Sequence, residues 1–232
     1  DEPNNKWTPD ETVYFRDKRT HVDIIGYYPY STPTSVDAYP FEVAKDQSVD
    51  AANGQLGGYE ASDFLYAKSA DIEPTSSRIA LTFRHRMASV QVELSEGTGF
   101  ADGEWSGLEK QVLITNTVRK AAIDLATGAI TPVGDVPSTG IVPYKSGGRF
   151  RAVVVPQTVA ASAALFNITV DGTSYIFRKP QAFEYVDGKL HKFTVEVSKK
   201  EGSGLVFKLI GESITAWETD NVSHDATARE YV

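Results

Sequence analysis

Cysteine is absent from the 232 residues, and methionine occurs once. The first absence excludes a thiol nucleophile, a cysteine-based zinc site and a disulfide framework. It leaves the redox compartment open, because a cysteine-free chain tolerates oxidising and reducing surroundings alike. The second removes a common filler of helical cores. No apolar run reaches the ~18 residues that a membrane-crossing helix needs. No basic-then-apolar leader opens the chain, and Asp1-Glu2-Pro3-Asn4-Asn5 reads as a mature or trimmed end. Positive charge is also scarce: 23 Lys and Arg against 31 Asp and Glu give a net charge of −8. Nucleic acid and anionic membrane surfaces are therefore not expected partners, since both call for a basic face.

What the chain does have is a hydrophobic fraction of 41%, with eleven Tyr and eleven Phe. A chain of this size buries enough apolar surface to fold without metals or cross-links, and aromatics suit strands. The dominant periodicity is two. Ile79, Leu81 and Phe83 alternate with Ala80, Thr82 and Arg84, and then Ala88, Val90, Val92 and Leu94 alternate with Ser89, Gln91 and Glu93. The apolar parity changes between the two runs. A one-residue slip turns every side chain to the other face, so a bulge or sharp bend is predicted near His85–Met87.

Further strands are predicted over Val13–Phe15, Val22–Tyr28, Phe64–Tyr66, Gln111–Asn116, Phe150–Val155, Phe166–Val170 and Leu190–Val197. The late run Leu205–Ile210 precedes another at Ser213–Trp217. Asp171-Gly172, followed by Ser174–Arg178, is a hairpin signal. Turn clusters at Ala126–Gly128, Val133–Gly140, Ser146–Gly148 and Val186–Gly188 punctuate the rest. Lys45–Gly58 and Asp102–Lys110 each hold a single helical turn at most. Short strands between frequent turns predict an all-β sandwich architecture. The polar stretch Ala70–Ser77, with Pro74, suggests a division into residues 1–75, a partial N-terminal β-sandwich short of strands, and residues 76–232, a C-terminal β-sandwich with a terminal extension.

Catalytic patterns are missing. His21, His85, His191 and His224 are scattered, with no pair two or four residues apart. As a general base His85 would need a positioned partner, whereas at a bend it needs one hydrogen bond, and the structural reading is preferred. His191 shares a face with Phe193 and reads as core or edge packing. Asp10/Glu11 and Asp71/Glu73 are solvated loop pairs, and no two carboxylates stand out as a glycosidase pair. There is no Gly-x-Ser-x-Gly elbow and no phosphate-binding glycine motif, and Asp220-Asn221 near Asp225 is too sparse for a calcium loop. No enzyme activity, cofactor or metal is expected. Tyr27, Tyr28, Tyr30 and Tyr39, with Phe41, form a candidate platform for stacking on sugar rings; their alternative role is to fill a small core.

Six blocks in order carry a resemblance. They are Val22–Tyr30 with its Tyr-Tyr-Pro-Tyr end, Ser62–Lys68, Leu81–Ala88, Val153–Gln157, Gly188–Val195 and Ile214–Trp217. Together they resemble the fimbrillins, the type V pilins and related subunits of anaerobic Gram-negative bacteria. The resemblance implies two tandem transthyretin-like β-sandwiches, export as a lipoprotein precursor to the outer membrane and cell surface, and removal of an N-terminal segment by a protease. The partners it implies are other pilus subunits joined by β-strand addition in a donor-strand exchange. An adhesion partner, a host glycan or protein, would make the chain a surface glycan-binding module, which is the alternative reading. The candidate strand-exchange residues are Leu205, Phe207, Leu209, Ile214, Trp217 and Val222, with Glu218–Val232 as a possible donor extension. The family's opening strands have no match here, so the N-terminal sandwich is expected to be incomplete as written.

Overall fold

The computed structural model describes the backbone of residues 6–7, 14–217 and 224–227, with side chains for 14–217 except Arg78. In chain order its strands are β1 (Lys6–Trp7), β2 (Val22–Tyr28), β3 (Tyr39–Glu42), β4 (Leu65–Ile72), β5 (Arg78–Leu81), β6 (Arg84–His85), β7 (Ala88–Glu96), β8 (Lys110–Ile114), β9 (Lys120–Asp124), β10 (Ala129–Val133), β11 (Tyr144–Ser146), β12 (Arg149–Val154), β13 (Gln157–Val159), β14 (Ala164–Val170), β15 (Thr173–Arg178), β16 (Phe183–Tyr185), β17 (Lys189–Lys200), β18 (Gly204–Ala216) and β19 (His224–Thr227). Two single helical turns, α1 (Gly58–Ala61) and α2 (Glu104–Gly107), complete the set.

The largest sheet has the order β11-β12-β7-β17-β18 and faces the three-stranded sheet β15-β14-β8. Alternation dictates the inner faces. Val90, Val92 and Leu94 of β7 and Phe193, Val195 and Val197 of β17 point inward, as do Phe166, Ile168 and Val170 of β14, and all are buried. Phe193 meets Phe166 and Phe177 at ring-centroid distances of 5.1 and 5.5 Å, which closes the sandwich. The β14–β15 turn is Asp171-Gly172, with φ of 45° and 76°. Positive φ at both positions is the hairpin geometry whose twist matches the flanking strands.

β2, β3 and β4 join later strands in the sheets β2-β4-β6 and β10-β9-β3. Tyr39, Phe41 and Phe64 are buried between them, and Phe41 meets Phe64 edge-on at 5.2 Å. The division expected near Thr75 falls between β4 and β5. Three strand pairings among the described residues span it, β1 with β19, β3 with β9 and β4 with β6. A single buried cluster runs from Tyr39 and Phe64 through to Val197.

The parity switch at His85–Met87 has a tertiary cause. β6 pairs with β4 in one sheet, and β7 pairs with β12 and β17 in another. The chain crosses between sheets at Arg86 and Met87, and the apolar side chains change parity because the core lies on the other side. Of the predicted Val13–Phe15 strand, Val13 lies outside the described residues, and Tyr14 and Phe15 are irregular.

His191 is wholly buried, and its Nε2 accepts the backbone N–H of Val186 at 3.0 Å. Its Nδ1 has no partner among the described residues. Burial pushes the imidazole below its ordinary value. The unfolded chain therefore takes up a proton near pH ~6.5 while the folded chain resists it to lower pH. Stability from this residue is present above that pH and is lost as pH falls from about 6.5 towards the folded value. His191→Gln keeps a hydrogen-bond acceptor and cannot titrate. It is expected to be less stable than the parent at pH 7.5 and to lose less stability between pH 6.5 and 5, by denaturant unfolding. Equal losses in the two proteins would remove His191 from the acid response.

Candidate functional site

The C-terminal segment enters a sheet with β1 and β5. β19 is the middle strand of the order β1-β19-β5. It runs antiparallel to β5, with His224 opposite Leu81, Asp225 opposite Ala80, Ala226 opposite Ile79 and Thr227 opposite Arg78. On its other side it lies parallel to β1, with Lys6 opposite Asp225 and Trp7 opposite Ala226. β19 is β5's ladder partner and, among the described residues, joins β5 to β1. A strand held in this way is bound mainly by main-chain hydrogen bonds, which depend little on its side chains.

The strand that receives it is held firmly from below. Ile79 is buried, and Leu81 is half-buried. Gly26 on β2 lies directly beneath: a Cβ there would stand 2.7 Å from the Phe83 ring and 3.4 Å from Leu81 Cδ1. Glycine at this position leaves room for the Phe83 ring just past β5, while Leu81 of β5 sits at ordinary contact distance.

The segment leaves the C-terminal sandwich at Trp217. Its indole stacks on the His85 imidazole at 4.0 Å with an interplanar angle of 5°, and the Trp217 backbone N–H donates to Gly188 O at 2.9 Å. His85 Nδ1 in turn lies 2.9 Å from the Asp63 carboxylate. Since His85 sits on β6, paired to β4, the root of the C-terminal segment is tied to the sheet β2-β4-β6.

The other candidate strand-exchange residues lie elsewhere. Leu205, Phe207 and Leu209 are half-buried on β18 and oppose Lys199, Val197 and Val195 of β17. Phe207 also stacks on Tyr175 at 5.2 Å. Ile214 is 51% exposed and lies opposite His191. Val222 is outside the described residues. The structure thus brings Trp217 against β6 of the sheet β2-β4-β6 and leaves the β18 residues in their own sheet.

The tyrosines of the candidate sugar platform are not coplanar. Tyr39 is 4% exposed, and its hydroxyl bonds the Ser31 hydroxyl at 2.6 Å. Tyr27 is half-buried, tilted 32° against Tyr30 and 56° against Tyr39. Tyr28 and Tyr30 are exposed. At the outer end of β2, His21 Nδ1 meets Asp71 at 2.7 Å, and this bond raises the imidazole above its ordinary value. No group of three or more His, Asp or Glu side chains is placed to hold a metal ion among the described residues. None of their helices is long and apolar enough to cross a membrane.

No pattern in the sequence marks β5 as the strand that pairs with residues 224–227. The one signal in the tail is its sparse apolar spacing, Val222, Ala226 and Ala228, which has an even period.

The profile of fimbrillin-like proteins matches residues 2–217. Among solved structures, a candidate cell-adhesion protein of Bacteroides uniformis shares the fold, with a TM-score of 0.65 and 22% identity over 89% of this chain and 77% of that one. A second, from Bacteroides ovatus, aligns with a TM-score of 0.62 and 13% identity over 93% of this chain and 74% of the other. A third, from Bacteroides thetaiotaomicron, gives 0.51 and 19% over 79% and 68%. No curated protein sequence matches significantly. The fimbrillin-like family comprises structural subunits of cell-surface fimbriae, not enzymes. With its profile spanning nearly the whole chain and the β-sandwich fold shared, this protein belongs to the fimbrillin-like family.

Proposed function

We propose that this protein is a fimbrial subunit, structural or at the tip, that joins its neighbours by donor-strand exchange at the β5 edge. One observation carries the reading: residues 224–227 lie between β5 and β1 as the middle strand of their sheet. A segment that pairs there within one chain has the length and register to pair there in a neighbour. The donor is the segment beyond Trp217, and the acceptor is β5. The β18 residues Leu205, Phe207 and Leu209 support the donor without leaving their own sheet. Family membership supports a location on the outer membrane surface after export as a lipoprotein precursor.

Truncation after Trp217 tests this. The shortened chain is expected to fold, to fail as a donor in fibre assembly, and to bind a synthetic peptide of residues 218–232 in trans. Normal incorporation into fibres by the truncated chain would sink the proposal.

A further inference from the structure

The outer face of the five-stranded sheet carries an unmatched cation. The Arg151 side chain on β12 has no hydrogen bond or ion pair among the described residues, and its Nε is buried without an acceptor. Its guanidinium lies 5.6 Å from the Tyr59 ring centroid and 5.7 Å from that of Tyr144. The two rings are themselves 6.1 Å apart. Strand register builds this group: Arg151 stands opposite Tyr144 of β11 and Gln91 of β7. Tyr59 comes from α1, packed onto the same face.

Beside Arg151 is a recess of about 440 Å³, lined by Gln91, Glu93, Ser146, Arg149, Arg151 and the Gly147-Gly148 turn. Its one carboxylate, Glu93, is already engaged by Lys192 at 3.2 Å and Arg149 at 3.7 Å. Arg149 and Lys192 thus share the one carboxylate and Arg151 stands beside them without an anion, on a chain whose net charge is −8. Nothing in the fold requires that local excess. A guanidinium with a covered nitrogen and no acceptor is a costly group to leave unpaired, and a carboxylate matches its planar fork.

We propose that this recess binds the carboxylate of an acidic saccharide. Arg151 and Arg149 receive the carboxylate. The Gln91 amide and the Ser146 hydroxyl are placed to bond ring hydroxyls, and the half-exposed Tyr144 ring covers an apolar sugar face. A recess of this volume holds about one or two sugar rings. A polyphosphate chain is disfavoured by the acidic remainder of the surface. The site lies on β7, β11 and β12, away from β5 and β19, so it works whether or not strand exchange occurs.

The test is titration of the full chain with 3′-sialyllactose and with a galacturonic acid trimer, against lactose and sodium sulfate, followed by calorimetry and amide NMR. At least one acidic saccharide is expected to bind and to shift resonances of β7 and β12, while lactose and sulfate do not. Arg151→Gln should weaken that binding at least ten-fold. Arg151→Lys, which keeps the charge and loses the fork, should also weaken it, with circular dichroism unchanged. Lys208→Gln, on the exposed side of β18, should have no effect. Absence of binding by both acidic probes, equal binding of lactose or of sulfate alone, or undiminished binding by well-folded Arg151→Lys would overturn the proposal.

Discussion

A chain carrying Ala80→Cys and Asp225→Cys is expected to form an internal disulfide under oxidation and to remain monomeric. Reduction is expected to restore assembly. The two positions face each other across the antiparallel β5–β19 pair, where Cα separations of about 4.5–5.5 Å suit a disulfide. The parent has no cysteine, so no competing thiol complicates the result. The cross-link closes a loop of well over a hundred residues, which restricts the unfolded chain by about 5 kcal/mol in the chain-entropy account. It also holds β19 in its own molecule. A donor strand that cannot leave cannot be offered to a neighbour, and an acceptor edge that stays filled cannot receive one. Non-reducing electrophoresis reports the bond, and size-exclusion chromatography with electron microscopy reports assembly. If the oxidised chain assembles as well as the reduced one, β19 is not the donor at this edge. If no internal bond forms, the β5–β19 register is wrong.

The largest loss of stability is expected from Phe193→Ala. Phe193 is fully buried on β17, and its ring meets Phe166, Phe177 and Phe183 at 5.1, 5.5 and 5.8 Å. These partners come from β14, β15 and β16, so one ring joins the large sheet to two others. Truncation removes the burial of the ring and leaves a cavity that rigid strands on both sides cannot close. Such changes cost about 3–5 kcal/mol, and in a chain of this length that lowers Tm by roughly 6–20 °C. Ile176→Ala, on the outer face of β15 at 47% exposure, should stay within about 0.5 kcal/mol. Denaturant unfolding of the two variants measures both. A loss below about 1 kcal/mol at Phe193 would mean that the two layers do not depend on this contact.

The elements that local sequence predicts well are those whose cause is local. The β14–β15 hairpin follows from Asp171-Gly172, which supplies positive φ at two successive positions. β17 follows from the strict alternation of His191, Phe193, Val195 and Val197, all of which are buried. The β2 bounds, Val22–Tyr28, are legible for the same reason. β3 is not. Tyr39-Pro40-Phe41 resembles strand-end punctuation because proline cannot donate to a ladder. It is nevertheless a strand, at the edge of β10-β9-β3, where one side of Pro40 needs no donor. Its partner β9 lies some eighty residues away, and no local pattern links them. The recess around Arg151 was hidden in the same way, since Tyr59, Gln91, Tyr144 and Arg151 meet only through strand order.

The amino-acid sequence by itself determined the strand content, the turns and the inner faces, because alternation and backbone preference act within a few residues. Its order of blocks also placed the chain among the fimbrillins. Tertiary structure decided which strands are neighbours, why the apolar parity changes at Arg86 and Met87, and which edge receives the C-terminal segment. A β-ladder bonds residues that are distant in the chain, and backbone groups carry no residue-specific code for their partner. The pairing of β19 with β5 joins residues some 145 positions apart, such as Ala80 and Asp225, and so belongs to tertiary structure alone.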